Sequence, residues 1–96
     1  MPKGYWIARI SVEQPERYDE YKGLAGPAYQ AHGAKFLVRG GKFDASEGEA
    51  RERNVVIEFP TYQAALDCYN SQQYAKARAV RQEISVGELI VVEGAD

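Results

Sequence analysis

Apolar and polar positions along the 96-residue chain fall into alternating runs, separated by stretches with three- and four-residue spacing. Tyr5 to Ile10 (Tyr-Trp-Ile-Ala-Arg-Ile) is aromatic and branched and predicts a first strand. Pro15 suits the first position of a helix, where a missing N–H costs nothing; Gln14 before it is a poor cap. Tyr18, Tyr21, Leu24, Ala25 and Ala28 then recur on one helical face. Gly26-Pro27 interrupts that helix, by a kink or a restart, and Gly33 suits its stop. Ala34 to Arg39 predicts a second strand ended by Gly40-Gly41, and the polar segment 42–52 a long hairpin connection. Arg53 to Phe59 predicts a third strand, closed by Pro60. Thr61 caps a second helix with Tyr62, Ala65, Leu66 and Tyr69 as its stripe. Asn70-Ser71 breaks and re-caps this helix before Tyr74, Ala77 and Val80. Glu88 to Glu93 predicts the fourth strand, after which Gly94 to Asp96 should fray.

The order βαββαβ is the ferredoxin-like split βαβ pattern. It predicts an α+β fold in a single domain, 1–96, with both helices on one face of a four-stranded antiparallel sheet. Side chains alternate across a strand, so each strand divides into two sets. Ala8, Val38, Ile57 and Phe59 are assigned to the helix side. The other face then exposes Tyr5, Ile7, Leu37, Val56 and one of Leu89 or Val91. A sheet with one wet face normally shows polar residues there. An apolar face on so small a domain predicts an interface, and the economical cover is a second copy of the same sheet.

Composition narrows the function classes. Twelve Lys and Arg against fourteen Asp and Glu leave a net charge of −2, unlike the basic balance of a nucleic-acid-binding module. No apolar run reaches the ~20 residues of a membrane span, and no apolar signal region opens the chain, so a cytoplasmic protein is expected. The lone Cys68 supports neither an internal disulfide nor a structural zinc and reads as a small core residue. The single His32 makes a histidine-based metal site unexpected, and Gly40-Gly41 lacks the dinucleotide-binding pattern. No cofactor is expected.

Three polar strand residues stand out. The alternation sends Arg9, Arg39 and Glu58 to the face opposite the helices, where a carboxylate between two guanidiniums is geometrically reasonable. Two readings fit. The cluster binds an anionic or carbonyl-bearing ligand with Glu58 as proton acceptor, or it is an ion network that fixes dimer register. His32, near the end of the first helix, is either a proton-transfer group or a helix-end cation. Tyr5, Arg9, Arg39, Arg53 and Tyr69 are the candidate ligand contacts, with Glu58 and His32 the candidate catalytic groups. Arg78 and Arg81, three apart on the second helix, are expected to face solvent or to pair with Glu83 or Asp67.

Several runs are familiar: Gly4 to Ala8, Phe36 to Gly41, Glu47-Gly48, Arg53 to Pro60, Cys68 to Ser71 and Val92 to Gly94. Together they resemble domain-of-unknown-function family 1330 over nearly the whole chain. The most specific are Arg53-Asn54-Val55-Val56-Ile57-Glu58-Phe59-Pro60 and Tyr69-Asn70-Ser71-Gln72-Gln73-Tyr74. The resemblance implies a dimeric α+β barrel: a ferredoxin-like subunit in a face-to-face homodimer. That superfamily includes cofactor-independent monooxygenases, isomerases, haem proteins and stress-induced proteins, so it implies no single reaction. A haem would need an axial ligand, for which His32 is the obvious residue. Gly41, Glu47, Gly48, Arg53, Glu58, Phe59, Tyr69, Tyr74 and Arg81 match the family pattern. Gln14 and Gln72 depart from it, at helix starts. The expected function is a small-molecule-binding homodimer with a pocket near the sheet, monooxygenase- or isomerase-like if it is an enzyme. The alternative is a non-catalytic dimer whose polar cluster only fixes the interface.

Overall fold

Alternation becomes register in the computed structural model, which describes residues 2–95. The strands are β1 (Gly4–Val12), β2 (Lys35–Arg39), β3 (Arg53–Phe59) and β4 (Ser85–Glu93). They form one antiparallel sheet in the order β2-β3-β1-β4. After β1, a single 3-10 turn at Pro15–Arg17 leads into α1 (Tyr18–Ala31). The second predicted helix is two, α2 (Tyr62–Tyr69) and α3 (Gln72–Ile84). Thr61 and Ser71 cap them, each accepting from a backbone N–H three residues on: Ala64 at 3.0 Å and Tyr74 at 3.1 Å. Pro27 lies inside an unbroken α1. It deprives the Gly23 carbonyl of its helical partner, on the exposed side of the helix. Gly33 takes φ +72° just past the helix, the left-handed stop its identity suggested. None of the helices is long and apolar enough to cross a membrane.

The helices cover one face. Trp6, Ala8, Ile10, Val55, Ile57 and Phe59 from the sheet bury against Tyr21, Ala25, Ala28, Ala65, Cys68, Tyr74, Ala77 and Ile84. Trp6 is the hub. Its ring centroid lies 4.8–5.8 Å from those of Tyr29, Phe59, Tyr69 and Tyr74. Its indole N–H donates to the Ala65 carbonyl at 2.9 Å.

Three expectations need correction. First, Val38 is not on the helix side. Phe36 pairs with Ile57 but Val38 with Val56, so β2 carries a bulge that inserts one residue and reverses its alternation. Phe36 and Arg39 therefore face the helices, while Val38 stands exposed opposite Val56. Second, Leu89 and Val91 pack against the core, whereas Val86, Ile90 and Val92 are exposed on the open face. Pairing of Ala8 with Leu89 and of Ile7 with Ile90 decides this. Third, β4 begins at Ser85, directly after α3, three residues before the predicted start. The Ile84 carbonyl there accepts from both Glu13 and Gln14 amides. At the other end Gly94 is tied down, its N–H donating to the Lys3 carbonyl at 2.7 Å. Asp96 lies outside the described residues.

Candidate functional site

The open face carries polar groups at both ends of an apolar middle. One row across the sheet reads Val38, Val56, Ile7, Ile90, every residue paired with the next. Glu58 lies on one side of this row, opposite Tyr5 and Lys35. It accepts from Lys3 Nζ at 3.1 Å and from the Tyr5 hydroxyl at 3.3 Å. The Lys3 ammonium is the main reason its carboxyl lies below the ordinary carboxylate range. Arg9 lies on the other side, opposite Asn54 and Glu88. It donates to the Glu49 carbonyl at 2.9 Å. Glu88 is held by Arg51 through two bonds of 2.7 and 2.8 Å. Arg39, turned by the bulge, is on the opposite face altogether. The expected cluster of Arg9, Arg39 and Glu58 is thus not formed, because one inserted residue in β2 moved one member and the other two lie four positions apart along β1.

The helix side has the cavity. Between α1 and the strands β1, β2 and β3 lies a pocket of about 400 Å³. Its floor is Trp6, Ala8, Ile10, Val55 and Ile57, and its walls include Tyr21, Tyr29 and Phe36. Lys22, Arg39 and Arg53 also line it, and no carboxylate does. The Arg39 guanidinium lies over the Phe36 ring, 3.8 Å from its centroid, and Arg53 over Tyr18 at 4.8 Å. Neither arginine has a carboxylate within ion-pair distance among the described residues. The buried Nε of Arg53 has no hydrogen-bond partner there. Gly26 on α1 borders the pocket with open space where a side chain would be.

A chain of hydroxyls leads from this pocket into the core. Tyr29 and Tyr21 hydroxyls are 3.0 Å apart, and those of Tyr21 and Tyr74 2.8 Å. Arg81 Nε then donates to the Tyr74 hydroxyl at 3.3 Å. Arg81 is therefore neither on the surface nor paired with an acid: it is 7% exposed, between α3 and the tyrosines. Burial pushes the Tyr21, Tyr29 and Tyr74 phenols above their ordinary range, so they are neutral hydrogen-bonding groups near pH 7.

Of the residues singled out from sequence, Arg39 and Arg53 line the pocket. Tyr5, Arg9 and Glu58 stand on the open face. His32 ends α1 with Nδ1 2.8 Å from the Ala28 carbonyl, the helix-end role. Tyr69 packs on Trp6, with Arg78 over its ring at 5.1 Å. Cys68 is fully buried, its thiol pushed up to about 12 by desolvation, which removes it as a nucleophile. The missed residues are Lys22, Tyr21, Tyr29, Tyr74 and Arg81. Tyr21 and Tyr74 have the helical spacing of core residues, and Tyr29 lies outside that pattern; the signal for more is an arginine on the apolar stripe of α3, seven residues after Tyr74.

Residues 3–95 match the domain of unknown function DUF1330. The chain belongs to this family. The search of curated proteins gives no match. Among solved structures, this DUF1330 chain is similar to a protein of unknown function from Rhodopseudomonas palustris. That match has a TM-score of 0.79 and 18% identity over 99% of this chain and 84% of the other. It is also similar to SnoaB, a cofactor-independent oxygenase from Streptomyces nogalater. Here the TM-score is 0.65 and the identity 8%, over 100% and 96% of the two chains. A third likeness is to a Bacteroides thetaiotaomicron protein described as a possible oxidoreductase, with TM-score 0.66 and 13% identity over 96% and 97%. At these identities the likeness is one of fold: this DUF1330 chain has a ferredoxin-like architecture, a four-stranded antiparallel sheet with its helices on one face.

Proposed function

We propose that this protein is a cytoplasmic homodimer that binds a small anion with an aromatic or otherwise apolar body, in the pocket between α1 and the sheet. One observation carries the reading: an apolar pocket of about 400 Å³ lined by Lys22, Arg39 and Arg53 without a carboxylate. Such a volume suits a small metabolite. Lys22 pairs with Asp19 at 3.4 Å, but the two arginines, stacked on aromatic rings and without a carboxylate partner among the described residues, are compensated best by a ligand that brings its own negative charge. The apolar floor takes the body of the ligand and the arginines its charged end. SnoaB shares the fold and is described as a cofactor-independent oxygenase. That analogy supports oxygenase- or isomerase-like chemistry on an ionised substrate, at the level of fold alone.

The polar groups of the open face take a different role in this proposal. Glu58 is already engaged by Lys3 and Tyr5, and the pocket lies on the other face. We assign Glu58, Tyr5 and Arg9 to the register of a sheet-to-sheet homodimer rather than to catalysis. His32 is placed at the end of α1, outside the pocket lining, and is assigned to capping.

Trp6, the sole tryptophan, lines the pocket and reports on it. Fluorescence titration with 1-naphthoate and with its neutral carboxamide tests the proposal. The carboxylate is expected to bind more tightly by about tenfold or more, ~1.4 kcal/mol. The preference should fall in Arg53→Met and Arg39→Gln. Equal affinity for the two ligands, or a preference unchanged in both variants, overturns it.

A further inference from the structure

The four-membered chain Arg81–Tyr74–Tyr21–Tyr29 has a direction. A guanidinium donates only, so the Tyr74 oxygen accepts from Arg81. The Tyr74 proton then has the Tyr21 oxygen, at 2.8 Å, as its acceptor among the described residues. The Tyr21 proton goes on to Tyr29, at 3.0 Å. Every bond is satisfied in this order, and the one hydroxyl proton left over is that of Tyr29, which lines the pocket. Reversing the order would leave the proton of buried Tyr74 without an acceptor, a costly arrangement. The positive charge of Arg81 at the inner end favours the same direction, since each hydroxyl it polarises becomes a better donor to the next.

The pocket lining repeats this polarity. The Tyr29 ring packs edge-on against Phe36 at 5.3 Å, and Arg39 lies over the other neighbour of that contact, the Phe36 ring itself. Tyr29, Arg39 and Arg53 thus line one space, and no carboxylate or histidine lines it. Such a space does not remove a proton from a ligand, but it stabilises the anion once the proton has left for solvent.

We propose that Arg81, acting through Tyr74 and Tyr21, makes Tyr29 an oxyanion donor, and that the pocket selects weakly acidic phenols or enols and binds them ionised. This rests on the pocket proposed above as the ligand site. Arg81 is a positioning residue, and Tyr29 is the group that touches the ligand. In the binding step the ligand O–H breaks, its proton passes to water, and the oxygen keeps the electron pair; no oxidant is involved.

A phenol whose anion absorbs in the visible, 4-nitrophenol, reads the ionisation directly. Absorbance titration of the protein-bound phenol against pH is expected to give a pKa lower than that of the free phenol by about one unit or more. This corresponds to about tenfold tighter binding of the anion. Tyr29→Phe removes one oxygen from a half-buried residue and should return part of this shift, weakening binding of the anion more than that of the neutral phenol. Tyr74→Phe, which breaks the chain in the middle, should do the same, and Arg81→Lys should retain more of the shift than Arg81→Met. A bound phenol with the pKa of the free one, or the same shift in wild type and in both phenylalanine variants, overturns the inference and leaves the pocket standing. Failure of 4-nitrophenol, 1-naphthoate and its carboxamide alike to change Trp6 fluorescence overturns the pocket itself.

Discussion

Arg53 leans across Gly40 so closely that a β-carbon on the glycine would stand 2.6 Å from Nη1 of the guanidinium. Gly40 also has φ +66°, a backbone conformation that costs other residues about 1–2 kcal/mol. Gly40→Ala should therefore lower stability by roughly 1 kcal/mol or more and displace Arg53 from the Tyr18 ring. Denaturant unfolding measures the first effect. A weaker preference for 1-naphthoate over its carboxamide measures the second. Arg53→Ala in the Gly40→Ala background should relieve the steric part of the stability loss, leaving the backbone part.

Gly26 separates the pocket from the fold. No heavy atom lies within 4 Å of a β-carbon built there, and the residue sits on the pocket side of α1. Gly26→Ala should stabilise the chain by about 0.5–1 kcal/mol through helix propensity. Gly26→Leu should project into the cavity and abolish the Trp6 fluorescence response to anionic aromatics. Its thermal unfolding midpoint should stay near that of wild type. A leucine variant that binds as wild type would place the ligand elsewhere.

Acid should weaken the fold through the two carboxylates with strong partners. Lys3 and Tyr5 hold Glu58 below its ordinary range, and Arg51 does the same to Glu88. A depressed folded-state pKa adds stability above the unfolded value, about 4.3, and loses it as pH falls through the folded values. The thermal midpoint should be level from pH 7 to about 5 and decline below. Glu58→Gln and Glu88→Gln should lower the plateau and flatten the decline, as differential scanning calorimetry across this range would record. Both groups are accessible to solvent, so added salt should shrink the difference between variant and wild type.

How much of this was legible beforehand follows from which forces act locally. Thr61 and Ser71 were readable as caps because a hydroxyl next to free amides is a local matter. The open sheet face was readable because alternation has a fixed period of two. Val38 and Arg39 were misplaced because the bulge between Phe36 and Val38 leaves no mark in composition; it is set by pairing with β3. Arg39 lines the pocket, apart from Arg9 and Glu58, for the same reason, since the bulge turns it to the helix side. Arg81 was placed at the surface because a charged residue on an apolar helical stripe resembles the edge of a solvated face. Its partner is Tyr74 of the same helix, which is buried against Tyr21 of α1, and only that packing between helices buries the arginine.

The row Val38, Val56, Ile7, Ile90 makes the sharpest claim about assembly. Ile90 is 54% exposed in the single chain and Val38 42%, on a sheet face that also bears Val86 and Val92. Polar residues flank this row, Tyr5 and Glu58 on one side and Arg9 and Glu88 on the other. An apolar centre with a polar rim is the anatomy of an interface, and a two-fold axis through the middle of the sheet would bury the row against itself. At ~25 cal/mol per Å2, covering these side chains supplies several kcal/mol. Sedimentation velocity should find a dimer for wild type at micromolar concentration. Ile7→Asp, in the centre of the row, should give a monomer, because each subunit would bring an unpaired carboxylate into the apolar middle. Arg9→Ala, at the rim, should leave the dimer in place and raise its dissociation constant modestly. A wild-type chain that sediments as a monomer throughout would show that this face meets something other than its twin.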